Sequence, residues 1–114
     1  MVRITDELLV SRAEHNDGAL DSLEELSLHQ QKLSKIEYIN RACTKLKILQ
    51  LQDNCIERIE NLGRLKVLEY INLAMNNIEI IENLEGLERY INNVLMCNFA
   101  KTLHFTAHVS IFDI

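Results

Sequence analysis

Two histidines near the end of the chain have a spacing that could bind a metal ion. His104 and His108 are four residues apart, as in the histidine pairs that hold zinc on one face of a helix. The residues around them alternate between apolar and polar types, which indicates a strand, where side chains four apart are well separated. No glutamate follows His104, and no third ligand stands nearby. We therefore predict no metal site.

The cysteines offer a second kind of chemistry. Cys43, Cys55 and Cys97 are odd in number and widely spaced, and no two of them form a C-x-x-C pair. This pattern is typical of reduced, mostly buried thiols in an intracellular protein. A hydrolase built on Cys97 and a tail histidine is one hypothesis, but the sequence suggests no third group to orient the base. We predict no catalytic residue and no cofactor site.

Composition and charge narrow the class of protein. The chain has 114 residues, of which 47% are hydrophobic and only 5% aromatic, with no Trp and no Pro. One domain rich in aliphatic side chains is expected at this length. The net charge is −5 with the two signs interspersed, so no basic stripe points to nucleic acid. No apolar run approaches the ~20 residues of a membrane span. We expect a cytoplasmic protein.

A repeated pattern occupies the middle of the chain. The first unit has its recurring residues at Leu23, Leu26, Leu28, Gln31, Leu33, Ile36 and Ile39. The second has them at Leu46, Leu49, Leu51, Asn54, Ile56, Ile59 and Leu62, and the third at Leu68, Ile71, Leu73, Asn76, Ile78, Ile81 and Leu84. The units begin 23 and 22 residues apart, within the roughly 20–29 residues of leucine-rich repeats.

Each slot of the repeat has a physical reason. The Leu-x-Leu spacing sends two side chains inward from a short strand, and the amide slot can bond main-chain groups where the chain turns. The later spacing of three suits a 3₁₀ or irregular helix on the outer side. One unit cannot bury its own apolar face, so neighbouring units must stack in parallel. The predicted fold is an α/β repeat, a leucine-rich-repeat solenoid of the 22-residue type.

The segments before and after the repeats predict a division of the chain into three parts. Thr5 can cap a helix over about residues 5–16, which would cover the first unit, and Gly18 can end it. We predict a capping helix and linker over 1–22, three repeats over 23–89, and a degenerate fourth repeat with a divergent tail over 90–114. In a 22-residue register the fourth unit puts Asn93 and Thr106 in apolar slots. An array without a C-terminal cap should be marginally stable or self-associate through that end.

The outward residues of the strands are the candidate binding site. In a solenoid they would line the concave side, the usual binding surface of such arrays. We call these residues the strand face: Glu25, Ser27, His29, Gln30, Ile48, Gln50, Gln52, Asp53, Tyr70, Asn72, Ala74 and Met75. Tyr is favoured at interface hot spots and Met adapts to varied partners, so Tyr70 and Met75 stand out. An ordinary solvated face explains the pattern equally well.

Several stretches resemble one particular family. Residues 4–5, 13–17, 22–31, 46–49 and 66–87 are similar to the N-terminal region of the protein tilB homolog family, whose members are leucine-rich-repeat assembly factors for axonemal dynein. The segments around His15 and His29 are the more specific part of this resemblance, because no repeat slot requires those residues. The resemblance covers about residues 3–87, and the tail from about Leu87 looks like a different sequence joined to an interrupted repeat.

The resemblance implies a non-enzymatic scaffold in the cytoplasmic preassembly of dynein arms for motile cilia or flagella. Its implied partners are dynein assembly factors or chaperone-related proteins. The repeat period alone would also fit a regulatory subunit that binds a protein phosphatase. We therefore keep scaffold and phosphatase subunit as alternatives.

Overall fold

The computed structural model describes residues 2–85 and 87, together with the backbone of residues 93–96 and 111–113. Its elements in chain order are helix α1 (Asp6–Arg12), a 3₁₀ helix (Glu14–Asn16), strand β1 (Glu25–Ser27), helix α2 (Ile39–Ala42) and strands β2 (Ile48–Gln50), β3 (Tyr70–Asn72), β4 (Asn93–Met96) and β5 (Ile111–Asp113). In the described part of the chain, no helix is long and apolar enough to cross a membrane.

The strands form one parallel sheet in the order β1-β2-β3-β4-β5. Leu26 pairs with Leu49, and Leu49 pairs with Ile71, so equivalent slots of successive units lie side by side. These middle residues are fully buried, and the residues beside them on each strand point to the other side of the sheet. The predicted parallel sheet and its α/β class are confirmed.

The core continues beyond the strands at every third residue. Ile56, Ile59, Leu62, Leu65 and Leu68 are all buried, and they belong to one apolar cluster with the strand residues. The backbone that carries them consists of turns and irregular segments, whereas the first unit forms the short helix α2 before β2. A spacing of three therefore identifies the buried side chains, although it specifies no regular helix in the second unit.

The amide slots hold neighbouring units together. Asn54 Oδ1 accepts hydrogen bonds of 3.0 Å from the N–H groups of Gln31 and Leu33, in the preceding unit. Its Nδ2 donates to Leu28 O at 3.0 Å and to Leu51 O at 2.9 Å. The side chain thus satisfies main-chain groups of two units where the chain leaves the strand, as predicted.

Asn76 repeats this arrangement one unit later. It accepts from Ile56 N–H at 3.0 Å and donates to Leu51 O at 3.0 Å and to Leu73 O at 3.1 Å. Gln31 occupies the same slot in the first unit, but its amide donates only locally, to His29 O at 3.0 Å. Gln31, which stands where the later units have Asn, therefore does not bond a neighbouring unit through its side chain.

A second recurring slot was missed by our reading of the sequence. Tyr38, Asn61 and Asn83 all have positive φ, of 66°, 59° and 59°, and we call this position the left-handed slot. With ψ of −33°, Tyr38 itself lies outside the left-handed helical region. Asn61 donates to Ile36 O at 2.8 Å, and Asn83 donates to Ile59 O at 2.7 Å, each reaching back one unit. In the first unit the Tyr38 hydroxyl instead donates to Asp6 Oδ1 on α1 at 3.0 Å.

The N-terminal segment is fastened to the first unit. Thr5 caps α1 by accepting a hydrogen bond from Leu8 N–H at 3.2 Å, as predicted, and Leu9 and Ala13 enter the apolar core. Gly18 follows in a left-handed conformation with φ of 76°. The helix is shorter than expected, because a 3₁₀ helix replaces its last turn.

Two further contacts hold the residues before α1. Arg3 forms a paired contact with Glu37, with Nη2–Oε1 and Nε–Oε2 distances of 2.6 and 3.3 Å. This contact lowers the pKa of the Glu37 carboxyl. Val2 adds a single parallel bridge to Leu33.

The backbone of the fourth strand corrects the expected register. β4 pairs Asn93 with Tyr70 and Val94 with Ile71, so this step is 23 residues long. The 22-residue step placed Asn93 opposite Ile71 and is wrong by one residue. The physical reason is that the connection between strands tolerates an added residue, as it already does between β1 and β2. Thr106 and most of the predicted tail strand lie outside the described residues.

Candidate functional site

The sheet register sets the residues of the strand face in rows. Glu25, Ile48 and Tyr70 lie next to one another across β1, β2 and β3, and Ser27, Gln50 and Asn72 form the next row. Because side chains alternate along a strand, both rows project on the side opposite the buried Leu26, Leu49 and Ile71. The structure therefore brings these six predicted residues onto one surface.

Exposure differs along the strand face. Four residues are exposed, namely Glu25, Gln30, Asp53 and Met75. Six are half-buried, namely Ser27, His29, Ile48, Gln50, Gln52 and Tyr70, while Asn72 and Ala74 are buried, at 9% and 7% exposure. Little of Asn72 and Ala74 is thus available to a partner.

Some polar side chains of the strand face are already hydrogen-bonded to other groups of the same surface. Ser27 Oγ and His29 Nδ1 share a hydrogen bond of 2.7 Å, and Asn72 Oδ1 accepts from Ala74 N–H at 3.0 Å. Gln52 Oε1 is buried and has no hydrogen-bond partner among the described residues. Gln52 Oε1 is therefore the buried side-chain atom of the described residues that is left without a hydrogen bond.

The last strand-face residue of each of the three units has a positive φ. Gln30, Asp53 and Met75 have φ of 57°, 58° and 57°. This backbone region costs roughly 1–2 kcal/mol for a residue with a side chain, so the chain accepts strain where each strand segment turns away. As a result, Met75 stands at the surface with 36% exposure.

The charges of the strand face are few and acidic. Glu25 and Asp53 are its carboxylates, and no Lys or Arg belongs to it. A separate groove of about 730 Å³ lies outside the strands and is lined by Glu57, Arg58, Asn77, Glu79, Ile80 and Glu82. In it Arg58 pairs with Glu82 at 3.6 Å, so this groove contains mixed charges on the outer segments.

A base-activated nucleophile and a metal site would each require particular side chains close together. Ser27 and His29 form a hydroxyl–imidazole pair, but the described residues place no carboxylate or carbonyl on the other ring nitrogen of His29. A nucleophile activated by a base requires that orienting group. The described residues also contain no group of three or more His, Cys, Asp or Glu that could hold a metal ion.

The cysteines divide into two environments. Cys43 is buried in the core, and burial raises the pKa of its thiol to about 11, so it stays protonated. Cys55 is exposed, which corrects the expectation of buried thiols at that position. It follows Asn54, where the chain turns outward, and no apolar slot of the repeat includes it. Cys97, His104 and His108 lie outside the described residues.

One polar region beside the strand face was missed by sequence reasoning. A groove of about 580 Å³ is lined by Ser11, Arg12, Glu14, His15, Glu25 and Ser27, from α1, the 3₁₀ helix and β1. His15 Nε2 donates to Glu25 O at 3.1 Å and so connects the helical segment to the first strand. The only sequence signal for this region was that no repeat slot explains His15.

Curated proteins match the chain over about two thirds of its length. It is 61% identical over 75 residues to Dynein axonemal assembly factor 11 of Danio rerio, covering 66% of this chain and 17% of that protein. It is 56% identical over 78 residues to the Trypanosoma brucei brucei protein of the same name, covering 68% and 20%. Protein tilB of Drosophila melanogaster is 52% identical over 75 residues, covering 66% and 19%.

The chain therefore spans a fifth or less of the length of these relatives. No protein-family model matches the chain. No solved structure matches it either.

Proposed function

Because the chain belongs to the protein tilB homolog family, with 52% and 61% identity to the fly and zebrafish members, we propose that it is a protein-binding scaffold for the assembly of axonemal dynein. The family resemblance found in the sequence is thereby confirmed. Assembly-factor names among the relatives support a non-catalytic role, and they favour dynein assembly over the phosphatase alternative.

The proposed architecture is a leucine-rich-repeat solenoid. Its support is the agreement between the repeated slots and the register of β1, β2 and β3, together with the asparagines that bond from one unit to the preceding one. In this architecture α1 is the N-terminal cap, because Leu9 and Ala13 cover the core at the start of the first unit. The domain division at residues 22 and 89 is part of the same proposal.

The observation that carries the binding role is the alignment of the strand face in rows. A partner would meet Glu25 and Asp53 at one part of this surface and Tyr70 and Met75 at another. Such a surface suits a protein segment with both basic and apolar side chains, because charge complementarity would orient it and the aromatic ring would anchor it. All residues of the strand face, Asn72 and Ala74 included, remain within the proposed site.

The setting of this activity is also proposed. By family resemblance the scaffold acts in the cytoplasm during preassembly of dynein arms, in cells that build cilia or flagella. Dynein assembly factors or chaperone-related proteins are the proposed partners. Self-association through the C-terminal end of the array remains a prediction, which concerns residues outside the described part.

An affinity experiment tests this function. The full chain, immobilised and exposed to extract from ciliated cells, should retain axonemal dynein chains or their assembly factors. Tyr70→Ala should lower the affinity for these proteins about thirtyfold, because an anchoring Tyr contributes about 2 kcal/mol. Val67→Ala is the matched control, since Val67 is an exposed apolar residue outside the strands.

The result expected for Val67→Ala is recovery equal to that of the wild type. Circular dichroism should show that both variants are folded. If the wild-type chain retained none of these proteins, or if both variants lost them equally, the proposed function of the strand face would be wrong.

A further inference from the structure

We propose that the outer edge of β1, with the groove beside it, binds an extended peptide segment that carries an acidic side chain. This site is separate from the binding role of the strand face, with which it shares only Glu25 and Ser27. The bound peptide would lie along β1 as an added strand, on the side away from β2.

The first step of the argument is that β1 uses only one of its two edges in the sheet. It is the first strand in the sheet order and, among the residues that the structure describes, pairs with β2 alone. Glu24 O accepts from Ile48 N–H at 3.0 Å, and Leu28 N–H donates to Gln50 O at 2.8 Å. Even-numbered residues therefore direct their main-chain groups toward β2.

The odd-numbered residues of β1 direct their main-chain N–H and C=O groups to the opposite edge. Along an extended strand, the N–H and C=O of one residue point to one side and those of the next residue to the other. Glu25 and Ser27 therefore face away from β2. His15 Nε2 bonds Glu25 O on that edge, which verifies the direction.

Ser27 presents a free pair of main-chain groups. Within the described residues, no hydrogen bond reaches its N–H or C=O on the outer edge. Its side-chain hydroxyl is hydrogen-bonded to His29 Nδ1. An unpaired donor and acceptor at a strand edge form a template for another extended chain.

The space beside this edge can hold a short peptide. The groove of about 580 Å³ is bounded by Glu25 and Ser27 of β1 on one side and by Ser11, Arg12 and Glu14 on the other. This volume is within the roughly 300–1,000 Å³ typical of ligand sites. His15 closes the groove at Glu25, so the open main-chain groups are those of Ser27.

The groove contains one guanidinium, Arg12, and two carboxylates, Glu14 and Glu25, so Arg12 is the group that can select an acidic side chain of the peptide. Arg12 is half-buried in the groove wall and, in the part of the chain that the structure describes, forms no ion pair. A guanidinium in this setting gains from a paired hydrogen bond to a carboxylate. Glu14 and Glu25 are exposed and remain solvated, so they leave Arg12 as the partner for an acidic residue.

A binding measurement with defined probes tests the proposal. The probe is a short fluorescein-labelled peptide of alternating threonine and glutamate, followed by fluorescence anisotropy with the full chain. Its counterpart has lysine in place of glutamate. We expect the glutamate peptide to bind, and the lysine peptide to bind at least tenfold more weakly. Hydrogen exchange of the Ser27 amide should slow when the glutamate peptide is bound.

Two variants separate the main-chain and charge contributions. Ser27→Pro removes the edge N–H while keeping an extended backbone, and it should weaken binding about tenfold. Ser27→Ala keeps that N–H and removes only the side-chain hydroxyl, so it is the matched control, and Ser27→Pro should bind about tenfold more weakly than Ser27→Ala. Arg12→Gln should also weaken binding about tenfold, and it decides the test if circular dichroism shows that Ser27→Pro is unfolded.

Three outcomes would overturn the proposal. One is the absence of binding by the glutamate peptide. Another is equal affinity for the wild type and Arg12→Gln. The third is protection of the Ser27 amide that rises with protein concentration in the absence of peptide, since this would assign the edge to pairing between two copies of the chain.

Discussion

The first unit and the two units that follow it fill the same slots with different residues. In the second and third units the slots hold Asn54 and Asn76, which bond the main chain of the preceding unit. In the first unit the slot holds Gln31, which bonds His29 O two residues away. The first unit follows a helical segment rather than another repeat, so no equivalent turn lies behind Gln31 to be bonded.

The left-handed slot shows the same difference. Asn61 and Asn83 donate to carbonyl oxygens of the preceding unit, whereas Tyr38 extends to Asp6 on α1. Arg41 lies over the Tyr38 ring, 5.5 Å from its centroid, and adds a contact that stabilises the ring's position. The residue type in each slot therefore depends on the neighbouring element that the slot contacts. In the first unit that neighbour is helix α1, and in the later units it is the preceding unit.

The largest expected effect comes from removing an amide that joins two units. Asn54→Ala leaves the N–H groups of Gln31 and Leu33 and the carbonyl of Leu28 without their partners, all in or near the core. We expect a loss of about 3–5 kcal/mol in the free energy of unfolding, measured by urea denaturation.

Gln31→Ala is the matched control for that change. It removes one local hydrogen bond of a half-buried side chain and should cost at most about 1 kcal/mol. If the two variants lost the same free energy of unfolding, the proposed difference between the first unit and the two later units would be wrong.

A smaller effect is expected at the left-handed slot. Asn61→Ala removes the bond to Ile36 O and places Ala in a backbone region that Asn tolerates better, so it should cost about 1–2 kcal/mol. Tyr38→Phe removes only the exposed bond to Asp6 and should cost less than about 1 kcal/mol. Thermal denaturation of both variants checks this order, and a larger loss for Tyr38→Phe would reverse the comparison.

The smallest effect concerns the ion pair that fastens the N-terminal segment. Because Arg3 lowers the pKa of Glu37 below its ordinary value of 4.5, this carboxylate stabilises the folded chain above that pH. Its contribution is lost as the pH falls through the lowered pKa. Unfolding temperatures measured between pH 7 and pH 3 should therefore differ for the wild type and Glu37→Gln at neutral pH and converge in acid.

Arg3→Gln should reproduce the Glu37→Gln curve, because either change removes the pair. Curves for the wild type and Glu37→Gln that stay parallel down to pH 3 would show that the contact does not stabilise the fold. Since Arg3 is exposed, solvent screening keeps this effect below those at Asn54 and Asn61.

The sequence specified the strands and the amide contacts more fully than the site. The spacing of Leu26, Leu49 and Ile71 determines which face is buried, since a strand has a period of two and a fixed inward side. Asn54 and Asn76 were recognisable because a buried amide in an apolar repeat must find main-chain partners. Thr5 was recognisable as a cap by residue type and position.

Other features depend on tertiary contacts that a spacing does not encode. Tyr38 occupies a slot held by Asn in later units, so its positive φ was not evident from residue type. The groove at β1 depends on how α1 and the 3₁₀ helix lie beside the strand, which no repeat slot specifies. The burial of Asn72 and Ala74 likewise follows from packing rather than from alternation.

The most direct test of the account places a photo-crosslinking residue at Gln50, in the middle of the strand face, in the full chain within ciliated cells. The control places the same residue at Arg64, which is exposed and outside the strands. The account predicts adducts with axonemal dynein chains or their assembly factors from position 50 and not from position 64. Equal adducts from both positions, or such adducts from position 64 alone, would contradict it.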